Sequence, residues 1–215
     1  MDQLARPILL LTDLGLVNHY VGQVKRVLQS LVPRSAIIDI SHGIDKYAVN
    51  EGAWVLEPAL AAAPRDAVIM AVVGPGVGSN RKGIVVESGD RSFVGPDNGL
   101  LAAAFTEEER RNETLSASRV RELTNHEFHR AAVSSTFQRR DIFAPATAAL
   151  ARGVPASKLG PLLGGATVLH PFAGCTGADG LLTGEVVHVD SYGNLGNTAT
   201  TLGVVWGASV MVRTR

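Results

Sequence analysis

Apolar positions along the chain change period several times, and each change marks an element. Pro7-Ile8-Leu9-Leu10-Leu11 is a short unbroken apolar run, the pattern of a strand buried on both faces. A polar loop with glycine follows, from Thr12 to Asn18. Tyr20, Val21, Val24, Val27, Leu28 and Leu31 then recur at spacings of three and four, which predicts an amphipathic helix ended by Pro33. Ala36–Ile40, "AIIDI", is a second strand, and Ala48 to Ala63 is a helix that Pro58 should kink or interrupt. Ala67–Val73, "AVIMAVV", is a third buried strand. Strand-helix-strand-helix-strand is the rhythm of a mostly parallel sheet with helices on both faces, an α/β domain.

Further on, Gly83–Glu87 and Ser92–Val94 form paired strands around the turn "SGD". Asp97 is placed to cap a helix at Asn98–Phe105, and residues 107–130, charged and weakly patterned, suit a surface segment. Asp141 is placed to cap a helix at Ile142–Arg152, stopped by Gly153 and Pro155. Gly184–Asp190 and Gly196–Thr201 alternate like strands around "SYGN", and Val210–Val212 resembles a last strand. These patterns divide the chain into an α/β domain over residues 1–155, a Gly-, Pro- and Ala-rich linker over 156–180, and a small all-β domain over 181–215. So short a β domain offers little core of its own, so it should lean on the main domain or on a neighbouring subunit.

Composition narrows the function classes. The chain has 215 residues, 46% hydrophobic and 19% charged, which fits a globular protein. Twenty basic residues balance twenty acidic ones, so no net field favours nucleic acid or an anionic membrane. The pair Arg139-Arg140 is too short a basic cluster to change that. A lone Cys175 allows no internal disulfide, and no Cys/His spacing suggests a metal. No apolar run reaches the roughly 18 residues of a membrane span. "MDQLARP" resembles neither a signal nor a transit peptide, so a cytoplasmic protein is expected.

In an open parallel sheet, ligands bind beyond the carboxyl ends of strands. Two loops leave such ends, "TDLG" after the first strand and "VGPGVGSNR" after the third. Asp13 could accept hydrogen bonds from a sugar diol or, equally, cap the following turn. The second loop holds Arg81 as its only charge, and neither the dinucleotide fingerprint nor the phosphate loop with its lysine is present. Asn98 is explained mainly by turn chemistry, and His42 by a simple hydrogen bond after a strand. His126 and His129 suit a solvated face, Trp54 and Trp206 core or interface packing.

Six segments taken in order carry more. "LTDLGLVNHYVGQVK", "IIDISHGI", "AVVGPGVGSNR", "FVGPDNGLL", "STFQRRDIFAPATAAL" and "GEVVHVDSYGNLGNT" resemble the S-adenosylmethionine hydroxide adenosyltransferase family, which is related to the fluorinase and chlorinase enzymes. The resemblance implies a C-terminal β-barrel-like domain and a homotrimer with substrate held between subunits. It also implies substitution at the ribose C5′ of S-adenosylmethionine, as substrate, without a further cofactor or metal. Carried over by position, Asp13 resembles the ribose-diol carboxylate, and Asn194 the asparagine that reads adenine, with Tyr192 beside it for stacking. Tyr47 aligns with a pocket aromatic, Phe137 lies in the loop that closes around C5′, and Pro75, Gly76 and Gly78 shape the catalytic loop. In the water-using branch an aspartate, an arginine and a histidine manage the water. Here Gly74 replaces the aspartate, Gln138 replaces the histidine, and Arg81 remains. Arg139 stands where the family has glycine or serine, and Asn18 where an aspartate is common.

The chain stops after "GASVMVRTR", where relatives continue, so it is identified as a divergent, C-terminally shortened member. Losing a general base typically costs about 10²–10⁴-fold, so a slow hydroxide adenosyltransferase is expected. A non-catalytic binder of adenosine or S-adenosylmethionine is the alternative, and a halide-using adenosyltransferase a further one.

Overall fold

The computed structural model describes residues 5–75, 81–106, 109, 119–134, 136–167, 169, 175–176 and 182–197. It divides into two compact units, Met1–Leu169 and His170–Arg215. In the first, β1 (Ile8–Thr12), β2 (Ile37–Ser41), β3 (Val68–Val72), β4 (Gly83–Ser88), β5 (Arg91–Pro96) and β6 (Val120–Glu122) form one sheet in the order β2-β1-β3-β5-β4-β6. β1 lies parallel to both β2 and β3, and β3 parallel to β5, whereas β4 runs antiparallel to both its neighbours.

The unbroken apolar runs follow from burial on two faces. Ile8, Leu10, Val68 and Met70 belong to one core, with Val24 and Leu28 of α1 (Tyr20–Leu31) and with the alanine-rich helix α3 (Ala144–Ala151). Leu9, Leu11, Ile69 and Ala71 belong to the other, with Leu56 of α2 (Val49–Ala59) and Leu100. Every residue of α3 is buried, and small side chains let it lie close to α1 and the sheet. Helices therefore cover both faces, as the element rhythm implies.

Several local expectations change. α2 ends at Ala59, with Pro58 in its last turn, so the missing N–H falls where the helix stops. The predicted helix at Asn98–Phe105 is a 3₁₀ turn over Leu100–Ala104, and Asp97 does not cap it. Asp97 Oδ1 instead accepts from the Thr167 backbone N–H at 2.6 Å, and Asn98 Oδ1 accepts from Leu100 N–H. Within 107–130, Val120–Glu122 is a strand of the sheet rather than plain surface, because β4 supplies its ladder and Val120 is fully buried. Ala156 and Leu159, at the start of the stretch whose composition suits a linker, are buried in the first unit's core.

In the second unit, β7 (Cys175–Thr176) pairs with β8 (Leu182–Thr183), and β9 (Val186–Val189) pairs antiparallel with β10 (Leu195–Asn197). Asp190 organises the turn between the latter two. Its carboxylate accepts from the backbone N–H groups of Tyr192 and Asn194 and from the Asn194 side-chain amide. Gly193, at φ +84°, supplies the left-handed position the turn requires. Gly76, Gly78, Trp206 and the predicted strand Val210–Val212 lie outside the described residues.

Candidate active site

β1 passes to β2 on one side and is flanked by β3 on the other, so the chain leaves the carboxyl ends of β1 and β3 in divergent directions. Register sets Thr12 beside Val72, which brings the two loops that follow against each other. Asp13 stands at the head of the first. Its side chain does not cap the following turn. Leu14 N–H bonds instead to Thr12 Oγ1, and Gly15 N–H to the His42 carbonyl. Asp13 Oδ2 accepts from the backbone N–H of Tyr47 and of Gly74, each at 3.1 Å. One carboxylate oxygen thus ties together the loops after β1, β2 and β3.

Asp13 Oδ1 takes a different partner. Arg139 Nη2 donates to it at 2.5 Å, and the two side chains are 11% and 3% exposed. Arg139 Nε reaches the Val72 carbonyl at 3.4 Å. Burial holds the Arg139 guanidinium below its ordinary pKa, and the charges of Asp13 and Tyr47 act against that. Arg81 joins the same group, its guanidinium donating to the Pro75 carbonyl. Burial, and then the charge of Arg139, lower its pKa, whereas Asp13 raises it. Both guanidinium groups stay protonated in any ordinary medium. Among the described residues, the site therefore gathers two guanidinium groups near one carboxylate.

The loop carrying Arg139 is built around Asp141. That residue is not the helix cap its position suggests, because the chain from Arg139 to Phe143 is a π-helical turn leading straight into α3. The fully buried Asp141 carboxylate accepts from Arg140 Nε and Nη2 at 2.8 and 2.9 Å, from Arg130 Nη1 at 3.2 Å and from Ser134 N–H at 2.8 Å. Arg140 also donates to Gln23 Oε1 and lies 4.9 Å from the centre of the Phe137 ring, which meets Tyr20 edge-on. The two adjacent arginines thus diverge, Arg139 to Asp13 and Arg140 to Asp141. Gln138 enters the π turn one residue before Arg139.

Two backbone features mark the site. Tyr47 sits at φ +70°, a conformation that costs a non-glycine residue roughly 1–3 kcal/mol and tends to persist at functional sites. Gly74 sits at φ +114°, and a Cβ there would meet Asn98 Nδ2 and Val49 Cγ2, both at 2.9 Å. Asn98 also donates from Nδ2 to the Val73 carbonyl at 3.0 Å, so it holds the end of β3 besides forming its turn. Nothing in its local sequence indicated this, since the partner is 25 residues away. His42 keeps the bland role expected of it: buried, it shares a 2.8 Å hydrogen bond with Thr12 Oγ1, and its Nε2 lies 3.0 Å from Asp39 Oδ1. Tyr192 and Asn194 belong to the second unit, where Tyr192 is exposed on the hairpin turn and Asn194 is held by Asp190.

Residues 8–160 match the family described as the SAM hydroxide adenosyltransferase N-terminal domain. The chain belongs to this family. It is 41% identical, over 86% of its length and 68% of the relative's, to an (R)-S-adenosyl-L-methionine hydrolase of Salinispora tropica. A fluorinase of Actinopolyspora mzabensis is a more distant relative, at 24% identity over 90% of this chain and 72% of the enzyme. A solved structure of a conserved protein from Thermotoga maritima superimposes with a TM-score of 0.76 at 36% identity, covering 88% of this chain and 70% of that one. Within the adenosyltransferase family fold, Asp13, Gly74, Arg81 and Arg139 are the residues that the strand ends of β1 and β3 and the π turn bring together.

Proposed function

We propose that this protein is an S-adenosylmethionine hydroxide adenosyltransferase, converting S-adenosylmethionine and water to adenosine and methionine. The observation that carries the reading is the convergence of Asp13, Arg81 and Arg139 at the strand ends, in a chain of this family. In this reading an oxygen of water forms a bond to the ribose C5′ as the C5′–S bond breaks. The sulfonium takes the bonding pair and leaves as the neutral thioether of methionine, so no acid is needed to expel it. The remaining requirements are orientation along the C5′–S line and stabilisation of a hydroxide-like nucleophile as it sheds its proton to solvent water. The guanidinium of Arg81, close to Asp13, supports the second of these. Asp13 binds the ribose, Tyr47, Pro75 and Phe137 line the pocket, and Tyr192 and Asn194 meet the adenine. No further cofactor is invoked.

Gly74 and Gln138 stand at the positions of the missing aspartate and histidine, so turnover is expected to be slow, by about 10²–10⁴-fold for a lost base. The relative's name specifies the R sulfonium epimer, and we extend that substrate to this chain. The test is chromatographic detection of adenosine from each epimer of S-adenosylmethionine, with and without chloride. Adenosine from the R epimer, independent of chloride, is the expected result. A chloride requirement would favour the halide-using reading. Tight binding of adenosine without any product would favour a non-catalytic binding protein, the reading that Gly74 and Gln138 themselves support.

The same proposal includes a homotrimer with sites between subunits, working in the cytoplasm. Leu16 and Val17, three and four residues beyond Asp13, are 76% and 99% exposed and support burial against another copy.

A further inference from the structure

We propose that Arg139 is a specificity-determining residue that competes with the ribose diol for Asp13, so that the nucleoside is admitted only when the Arg139–Asp13 pair opens. The inference rests on the nucleoside site proposed above. It follows from a count of acceptor sites. A carboxylate offers about four lone-pair positions, two on each oxygen. Both positions on Oδ2 are taken, by the N–H groups of Tyr47 and Gly74. One position on Oδ1 is taken by Arg139 Nη2. A vicinal diol gripped by a carboxylate donates two hydrogen bonds, and the paired Asp13 has one position left to receive them.

Release of Arg139 changes that count without disturbing the loops, because the loops hang on Oδ2 alone. The guanidinium has little else to hold it. Its further bond to the protein, Nε to the Val72 carbonyl, is long at 3.4 Å. Asp13 side-chain exposure is only 3%, so a diol approaching from the loop side reaches Oδ1 where the guanidinium now lies. A protein that binds ligand only in its open form shows an affinity reduced by the fraction that is open.

The experiment is calorimetry of the full chain and of Arg139→Gly and Arg139→Met with adenosine and with 2′-deoxyadenosine. Thermal unfolding of each protein reports that it is folded. The expected result is weak binding of both nucleosides by the parent, with adenosine still preferred, because both enter only the open form. Both variants should bind adenosine about tenfold more tightly and discriminate against the deoxynucleoside. Methionine keeps the length of the side chain and removes the charge, so relief in both variants assigns the effect to pairing. Variants that bind adenosine no better than the parent would overturn the inference, and variants that bind it worse would make Arg139 a ligand of the nucleoside. If none of the folded proteins binds adenosine, the nucleoside site itself is overturned and the inference with it. Should Arg139→Gly fail to fold, Arg139→Met alone carries the same two outcomes.

Discussion

Gly74 is a residue whose backbone shape restricts what could replace it. Its φ of +114° is open to glycine and strained for other residues, and Asn98 and Val49 leave no room for a Cβ. Placing an aspartate at this position therefore means moving the loop as well. Gly74→Asp is expected to lower stability by about 1–3 kcal/mol and, alone, to leave hydrolysis no faster. Urea unfolding and an adenosine assay check both halves. A stable variant with raised turnover would show that the loop adapts freely. Gln138 is simpler, since it lies in ordinary helical backbone at the entrance to the π turn.

At the level of elements, the π turn and α3 depend on Asp141, which draws Arg130, Arg140 and Ser134 onto one buried carboxylate. The Arg140 hydrogen bonds hold the Asp141 pKa below the usual carboxylate value, against burial. A carboxylate depressed in this way contributes stability in full above its unfolded pKa of about 4. That contribution is lost as pH falls through the lower folded value. Asp141→Asn is expected to cost about 1–3 kcal/mol at pH 7, and its stability should fall less steeply than the parent's between about pH 4 and pH 2. Denaturant unfolding across that range tests the slope. Equal slopes in both proteins would mean that Asp141 is not the group that titrates. β1, α1 and β3 were legible in the sequence because two-sided burial leaves unbroken apolar runs and one-sided burial leaves a helical period. β6 was not, since three residues amid charged ones become a strand only through β4. The π turn was hidden for a similar reason: two arginines and an aspartate in "RRD" look like a surface start to a helix. The Asp13–Arg139 contact spans 126 positions, so local pattern carried no trace of it, although resemblance named both residues.

For the whole molecule, the sheet order explains why one end of the α/β unit carries the chemistry: β1 and β3 release their loops side by side there. That end also bears the exposed Leu16 and Val17. Sedimentation velocity is expected to give a trimer for the full chain, and Val17→Asp to shift it toward monomer. A monomeric parent at micromolar concentration would remove the subunit-interface site from the proposal.

Asp13 divides its oxygens between two duties, and this affects how its presence is to be understood in any relative of the protein. Oδ2 secures three loops whether or not a nucleoside ever arrives. Selection for a folded chain is thus enough to retain the aspartate even in a relative without turnover, whereas Gln138, in ordinary helical backbone, carries no such constraint. Possession of this carboxylate is a record of architecture. Descent with a working reaction has to be judged at the other positions.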